Sequence, residues 1–489
     1  MGRGHRARTR SSLVAGLVLA VLAAATAGLV GTGGPAIAAS APRPVLFVHG
    51  FAGSANQYAS QAQRFESNGY PTGWVTGIDY DSTFGVAPMA EVWNRIDEAI
   101  ADLRARSGVD QVDLVGHSLG TGVSQGYLNS SPERAASVAH YVNLDGASAA
   151  APPGGVDTLA VWGTGNPART ITGAENVSFP EQTHTEVVTS PQSFGAVYEF
   201  LTGEAPTTTD VVREPADQVE IAGRAQLFPS NVAASDVALE VHEVDPATGY
   251  RLDATPEATP ALAADGTWGP VAVDGAARYE LALVRGGGTS THHFYFEPFA
   301  RDDHLVRLLT SEPGTGLDAL WERGPGHSNI VMLRMKEWWG DQGEKNDSLT
   351  IDGTELIVPE TAPISKRAIA VFAYDAGSDG VSTPDAAIPA FFSIPFLTAM
   401  DVHLAASQPP TDTISVVETP RLGDGREVTI NVPNWPSDTD RISIQFLDYH
   451  WTADPPPAQA PTSTTTTSTV ASTTTTRAAA ATATPRFTG

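Results

Sequence analysis

The sequence predicts an α/β fold in its amino-terminal part, with a doubly wound, mostly parallel sheet, followed by a β-rich region of sandwich or barrel type. Three observations predict it. Apolar runs of strand length alternate with helix-periodic segments from Pro44 to about Leu201, the pattern of a parallel sheet whose strands are joined by crossover helices. Helical patterning stops near Thr202-Gly203-Glu204-Ala205-Pro206, and short alternating or β-branched segments then follow one another between Gly, Pro and Asp turns. At 489 residues the chain also exceeds one domain of ordinary size.

Taken in order, Pro44-Val45-Leu46-Phe47-Val48 reads as a buried strand running directly into His49-Gly50-Phe51-Ala52-Gly53. A helix is expected over Ala55 to Asn68 and a strand over Trp74 to Ile78. An amphipathic helix is expected over Ala90 to Arg106, where Val92, Ile96, Ile100 and Leu103 recur on one stripe. Val112-Asp113-Leu114-Val115, Tyr141 to Leu144 and Leu159 to Gly163 read as further strands, and Phe194 to Leu201 as a closing helix. In the β-rich part, Val219 to Gly223, Val237 to His242, Tyr279 to Leu283 and His293 to Phe296 define a first module over 205–302. Its Asp245 to Gly249 and Asp265 to Trp268 turns are similar to those of transthyretin-like modules. Ala368 to Tyr374, Val428 to Val432 and Arg441 to Phe446 define a β-rich segment over 303–451, either a second module or one unit with the first. Trp338-Trp339 and Phe391 to Leu397 fit sandwich core better than an apolar face offered to lipid or polymer.

The chemistry concentrates at Gly116-His117-Ser118-Leu119-Gly120, which follows the strand at Val112 and opens a helix-compatible segment. A serine becomes a useful nucleophile when a tight strand-to-helix turn projects its hydroxyl at a base, and small residues two before and two after permit that turn. Ser118 is the candidate nucleophile. An acyl-transfer intermediate needs preorganised N–H donors for its oxyanion, expected from the loop after the first strand and from the residue after the nucleophile. These are the backbone amides of Phe51 and Leu119. In this order of elements the base follows the serine, and His184, on the polar loop Pro180 to Glu186, is the candidate. His49, His117 and His140 read as structural.

The acid must orient the histidine and stabilise its charged form. Asn166 occupies the loop where it would most often stand, and an amide cannot serve. One strand earlier, Asp145 ends the Tyr141 to Leu144 strand at the carboxyl edge of the sheet, where ligand-binding loops gather, and is assigned as the acid. Asp157 precedes its strand and belongs at the opposite edge, while Glu181 and Glu186 read as loop solvation.

On these motifs, residues 44–203 resemble the α/β-hydrolases of the lipase and carboxylesterase kind. The short elbow domain, an acid at Asp145 and a long β-rich carboxyl-terminal half are similar to a small group of prokaryotic lipases, in which that half forms an accessory domain implicated in lipid binding. The resemblance implies a hydrolase of carboxylic esters, with a lipid or other ester as substrate, and no cofactor or metal. An extracellular polyester depolymerase and a surface binding protein with an inactive hydrolase domain are the alternatives. With a first recognisable strand at Pro44, the sheet is expected to lack the two antiparallel strands that begin larger hydrolases, and a shallow, accessible site is expected with it. The loop Asp81 to Met89 fits either a small lid or acyl-chain wall, or an ordinary connection.

Arg3, Arg6, Arg8 and Arg10 precede an uncharged apolar stretch from Leu13 to Val30 and then Ala36-Ile37-Ala38. This reads as a bacterial secretory signal peptide over 1–38, followed by a hydrolase domain over 39–204, and predicts a secreted, extracellular protein. The formal net charge of −26 makes nucleic acid an unfavourable partner and leaves only transient contact with a lipid interface. With no cysteine, disulfides, thiolate metal sites and a lipoprotein anchor are excluded. From Thr452 to Gly489 the Thr-, Pro- and Ala-rich composition predicts a disordered tail.

Overall fold

The computed structural model describes residues 42–165, 168–421 and 426–449, and the backbone of 451–452. The expected signal peptide, Asn166 and the tail beyond residue 452 lie outside the described residues.

The amino-terminal part alternates β1 (Val45–Val48), α1 (Ala59–Ser67), β2 (Val75–Ile78), α2 (Met89–Ser107), β3 (Val112–His117), α3 (Leu119–Ser130), α4 (Pro132–Ala136), β4 (Val138–Leu144), β5 (Asp157–Trp162), β6 (Glu175–Ser178), α5 (Glu186–Thr189) and α6 (Pro191–Thr202). The strands form one six-stranded sheet in the order β2-β1-β3-β4-β5-β6, every pairing parallel. Successive side chains of a strand point to opposite faces, and both faces here are covered. Val45 and Phe47 pack with Phe65, Phe194, Val197 and Leu201 from α1 and α6, whereas Leu46 and Val48 pack with Val92, Ile96, Ile100 and Leu103 from α2. Each such apolar side chain contributes on the order of 1.5–3 kcal/mol by leaving water. β6 has no apolar run for sequence reasoning to find, because its residues are exposed or half-buried.

The β-rich half is built around an eight-stranded sheet whose strands lie in the order Val237–Val244, Arg278–Arg285, Ser290–Phe296, Asp440–Gln445, Ile330–Leu333, Ala370–Tyr374, Leu397–Asp401 and Thr383–Ala387. Its first three strands pack Leu239, Val241, Leu281, Leu283 and Phe294 against Ile221, Val271 and Leu308 of a sheet formed by Val219–Leu227, Thr267–Val273 and Asp303–Thr310. Its later strands pack Ile330, Met332, Val371 and Ile444 against Leu349, Val416 and Ile430 of a third sheet. Strands from 205–302 and 303–451 therefore share two sheets: Ser290–Phe296 pairs in parallel with Asp440–Gln445 in the eight-stranded sheet, and Asp303–Thr310 with Val219–Leu227 in the second. The described residues from Pro42 onward make one compact unit.

Candidate active site

Ser118 stands at the junction of β3 and α3 with φ +50° and ψ −120°, a backbone region that L side chains rarely adopt and that costs on the order of 1–3 kcal/mol. The surroundings hold it there: its N–H donates to Leu144 O at 3.0 Å, and its carbonyl accepts from Thr121 N at 3.1 Å and Thr121 Oγ1 at 2.7 Å. The turn also needs glycine at position 120. A Cβ there would lie 2.1 Å from Val48 O, so any side chain would push α3 off the end of β1. Gly50 fills the same role across the gap, since its Cβ would meet Ser118 Cβ at 2.9 Å.

Asp145 follows β4 with φ +42°, a left-handed conformation that Asp tolerates better than most residues. Its N–H donates to Val161 O at 2.8 Å. Its Oδ2 lies 2.6 Å from His184 Nδ1, and its Oδ1 accepts from Gly163 N at 3.2 Å. Burial pushes this carboxyl up, but the hydrogen bond and charge of His184 and the Gly163 N–H outweigh it and hold the group below the ordinary aspartate range. An imidazole that donates Nδ1–H to this carboxylate has its Nε2 free to accept a proton. Ser118, Asp145 and His184 line one solvent-facing cleft, together with Thr164, Arg169 and Arg367. Among the described residues no hydrogen bond joins Ser118 Oγ to His184.

The Phe51 and Leu119 amides have no acceptor among the described residues, as donors reserved for an oxyanion require. Phe51 is exposed at the tip of its loop. His49 is fully buried, its Nδ1 2.8 Å from Gly50 O and its ring stacked on Tyr80 at 4.3 Å. His117 bridges Gln57 Oε1 at 3.0 Å and the His184 carbonyl at 2.9 Å, and burial lowers its pKa well below the ordinary value. His140 pairs with Asp113 at 2.9 Å. Asp157 begins β5 and so lies at the far edge of the sheet.

Two expectations need correcting. Glu186 is no solvated loop residue: it is buried and paired with Arg421 at 3.0 Å and Lys336 at 3.5 Å, both from the β-rich half. The site is also not shallow. A cavity partly open to solvent runs from Ser118 and His184 into the β-rich half, past Phe228, Leu309, Trp321, Val331, Phe372 and Phe396. Among the described residues the parallel sheet has six strands, and the β-rich half roofs its carboxyl edge. Phe396 lies parallel to the His184 ring, with centroids 6.3 Å apart and planes 12° apart. The Asp81 to Met89 segment is a connection tied down by Asp81 Oδ2, which accepts from Val86 N at 2.8 Å, while Ser82 Oγ accepts from Ala52 N at 2.8 Å.

Sequence reasoning missed the residues that fix the two loops from the β-rich half. Asn231, buried at φ +56°, donates through Nδ2 to Gly53 O at 2.8 Å and Tyr80 O at 3.0 Å, holding the loop that carries Phe51. Glu337, fully buried, accepts from the backbone around His184. Neither stands in a motif, and a contact across 150 or so residues leaves no local signal.

Residues 43–200 match the alpha/beta hydrolase fold family, residues 217–313 the lipase C-terminal domain family, and residues 316–450 a family described as a C-terminal domain. No curated protein matches the chain significantly. Among solved structures, a hydrolase of Thermoplasma acidophilum described as CIB-like is 18% identical over 33% of this chain and 87% of its own, with a TM-score of 0.26. Lipase B of Aspergillus fumigatus is 13% identical over 34% of this chain and 54% of its own, with a TM-score of 0.27. A Bacillus licheniformis lipase in propeptide form is 12% identical over 80% of this chain and 93% of its own, also with a TM-score of 0.27.

Proposed function

We propose, from the match of residues 43–200 to the alpha/beta hydrolase fold family and of residues 217–313 to the lipase C-terminal domain family, that the protein is a secreted serine hydrolase of carboxylic esters, acting on long-chain lipids through an acyl-enzyme. One observation carries the serine mechanism: Asp145 Oδ2 and His184 Nδ1 are 2.6 Å apart, in a cleft that Ser118 also lines. His184 Nε2 takes the Ser118 proton as Oγ attacks the ester carbonyl, and the Phe51 and Leu119 amides receive the oxyanion. Asp145 keeps the imidazole in its working tautomer and balances its charge. The alcohol leaves with that proton, and water activated by the same histidine then releases the acid.

The apolar cavity supports a long acyl chain over a polymer surface, because a single chain can thread past Trp321 and Phe372 whereas a polyester particle cannot. A second reading concerns the other part of the substrate. The cleft beside Ser118 is lined by Arg169 and Arg367, which favours an anionic leaving group such as a phospholipid head. The deciding experiment compares p-nitrophenyl esters of rising chain length, emulsified triglyceride, anionic phospholipid and polyester particles, with Ser118→Ala as control. Turnover rising with chain length and lost in Ser118→Ala supports the lipase reading. Turnover confined to particles, or persistent in the variant, overturns it. Secretion rests on the leader at 1–38 and is tested by the amino terminus of protein recovered from medium, expected at Ala39.

A further inference from the structure

His184 has three immediate neighbours: Asp145 at the ring, His117 at the carbonyl and Phe396 beside the ring plane. Only the last of these comes from the β-rich half. The backbone that carries the ring is fixed by that half as well. After the strand Ile330–Leu333 the chain turns through Arg334 to Trp339, and the Glu337 carboxylate enters the loop from outside. Its Oε1 accepts from Thr185 N at 2.7 Å, while its Oε2 accepts from Glu186 N at 3.0 Å and from Thr183 Oγ1 at 2.5 Å. These three donors come from the residue before His184 and the two after it. A carboxylate with no exposure needs such donors, since burying it without them would cost several kcal/mol.

Glu337 is itself immobilised from behind. Its carbonyl accepts from Arg334 at 2.8 Å and also from Arg421. Those two guanidiniums share Asp347, Arg334 at 3.0 Å and Arg421 at 2.6 Å. Arg421 also reaches Glu186 at 3.0 Å, closing the ring of contacts back onto the His184 loop, and lies 3.9 Å over the Trp339 ring. Burial pushes the Asp347 carboxyl up, but Arg334 and Arg421 overrule it and hold it well below its ordinary range. These shared charge-assisted contacts hold the Glu337 backbone from several sides.

We propose that Glu337 is a positioning residue for the general base, so that the β-rich half sets the working geometry of His184 as well as covering the substrate. The proposal rests on the reading of His184 as the base. A sub-ångström drift of the imidazole relative to Ser118 lowers the rate of proton transfer without changing how substrate fills the apolar cavity. Glu337→Gln turns one acceptor oxygen into an NH₂ group facing the N–H donors of the loop, at nearly unchanged volume.

The test uses the full chain, a short soluble ester and the rate of labelling by a fluorophosphonate. Glu337→Gln is expected to lower kcat about 10- to 100-fold with KM changed less than about twofold, and to slow labelling in proportion. Thr183→Val removes one donor with little volume change and is expected to give a smaller loss of the same kind, which keeps the question answerable if the glutamine variant does not fold. In a His184→Ala background Glu337→Gln is expected to cost nothing further, because a residue acting through His184 has nothing left to position. Additive losses in that background, or a folded Glu337→Gln protein with wild-type kcat, would overturn the proposal while leaving the base assignment intact. If the wild-type protein is not labelled, or His184→Ala labels at the wild-type rate, it is the base assignment that fails.

Discussion

Asp145 Oδ2 and His184 Nδ1 meet at 2.6 Å across 39 positions of sequence, and the Asp145 backbone adopts φ +42° to make the contact. Two strand ends, on either side of β5, produce the meeting. β4 delivers the carboxylate at the carboxyl edge of the sheet, and the loop after β6 returns over that edge with the imidazole. The remaining Asp145 oxygen is occupied by Gly163 N at 3.2 Å and an Arg169 guanidinium nitrogen at 3.6 Å, so the carboxylate is fixed on both sides.

Asp145→Asn is therefore expected to lower kcat on a soluble ester by roughly 10³- to 10⁴-fold at neutral pH, since an amide donates where the Nδ1–H must be accepted and favours the wrong imidazole tautomer. Steady-state kinetics on the purified variant check this. Retention of activity within tenfold would move the acid to another carboxylate.

Asn231 anchors the loop of Phe51 at a position with φ +56°, where glycine is free of strain. Asn231→Gly leaves the Gly53 and Tyr80 carbonyls without their donor. It is expected to cost about 1–3 kcal/mol of stability and to reduce kcat about tenfold through a loosened oxyanion loop. Thermal unfolding and kinetics on the same preparation check both parts.

The cavity wall makes a prediction about chain length. Val331 lines the space beyond Ser118 and is almost fully buried. Val331→Trp fills it and is expected to cut kcat/KM for a sixteen-carbon ester at least about tenfold relative to a four-carbon one, the scale at which apolar pockets discriminate. Equal losses on both esters would place the acyl chain elsewhere.

Asp79 joins the halves, and its contribution is lost at low pH. Its buried Oδ2 lies 2.9 Å from Arg307 and 3.2 Å from Arg224, and its Oδ1 accepts from Ala55 N at 2.9 Å. Burial pushes the carboxyl up, but Arg307 and Arg224 prevail and bring it down to about 2. A carboxyl with a depressed folded-state pKa binds fewer protons folded than unfolded, so its contribution is present above the unfolded value near 4 and is lost as pH falls toward 2. That contribution is roughly 2 kcal/mol at neutral pH. Asp79→Asn is expected to lower the wild-type Tm at pH 7 and to flatten its decline between pH 4 and 2.

Much of the site was legible because its chemistry is mounted on local patterns. The apolar runs that end at Val48, Val115 and Leu144 fix where strands stop, and parallel pairing brings all those ends to one edge. The glycines around Ser118 mark a turn that only small residues permit, as the 2.1 Å approach of a Cβ at Gly120 to Val48 O makes plain. Glu186 was misread because its partner, Arg421, lies 235 positions away, and a charge on a polar loop looks solvated until something covers it.

What the sequence by itself determined is the hydrolase sheet, the serine turn and the candidates His184 and Asp145, since each follows from periodicity, turn chemistry or element order over a few tens of residues. The tertiary structure alone decided that the β-rich half closes over the carboxyl edge of that sheet, supplies the apolar cavity and clamps both loops through Asn231 and Glu337. The physical reason is range. A strand or a turn is specified by its neighbours, whereas a buried carboxylate or amide is satisfied by whichever donors and acceptors the packed fold brings to it.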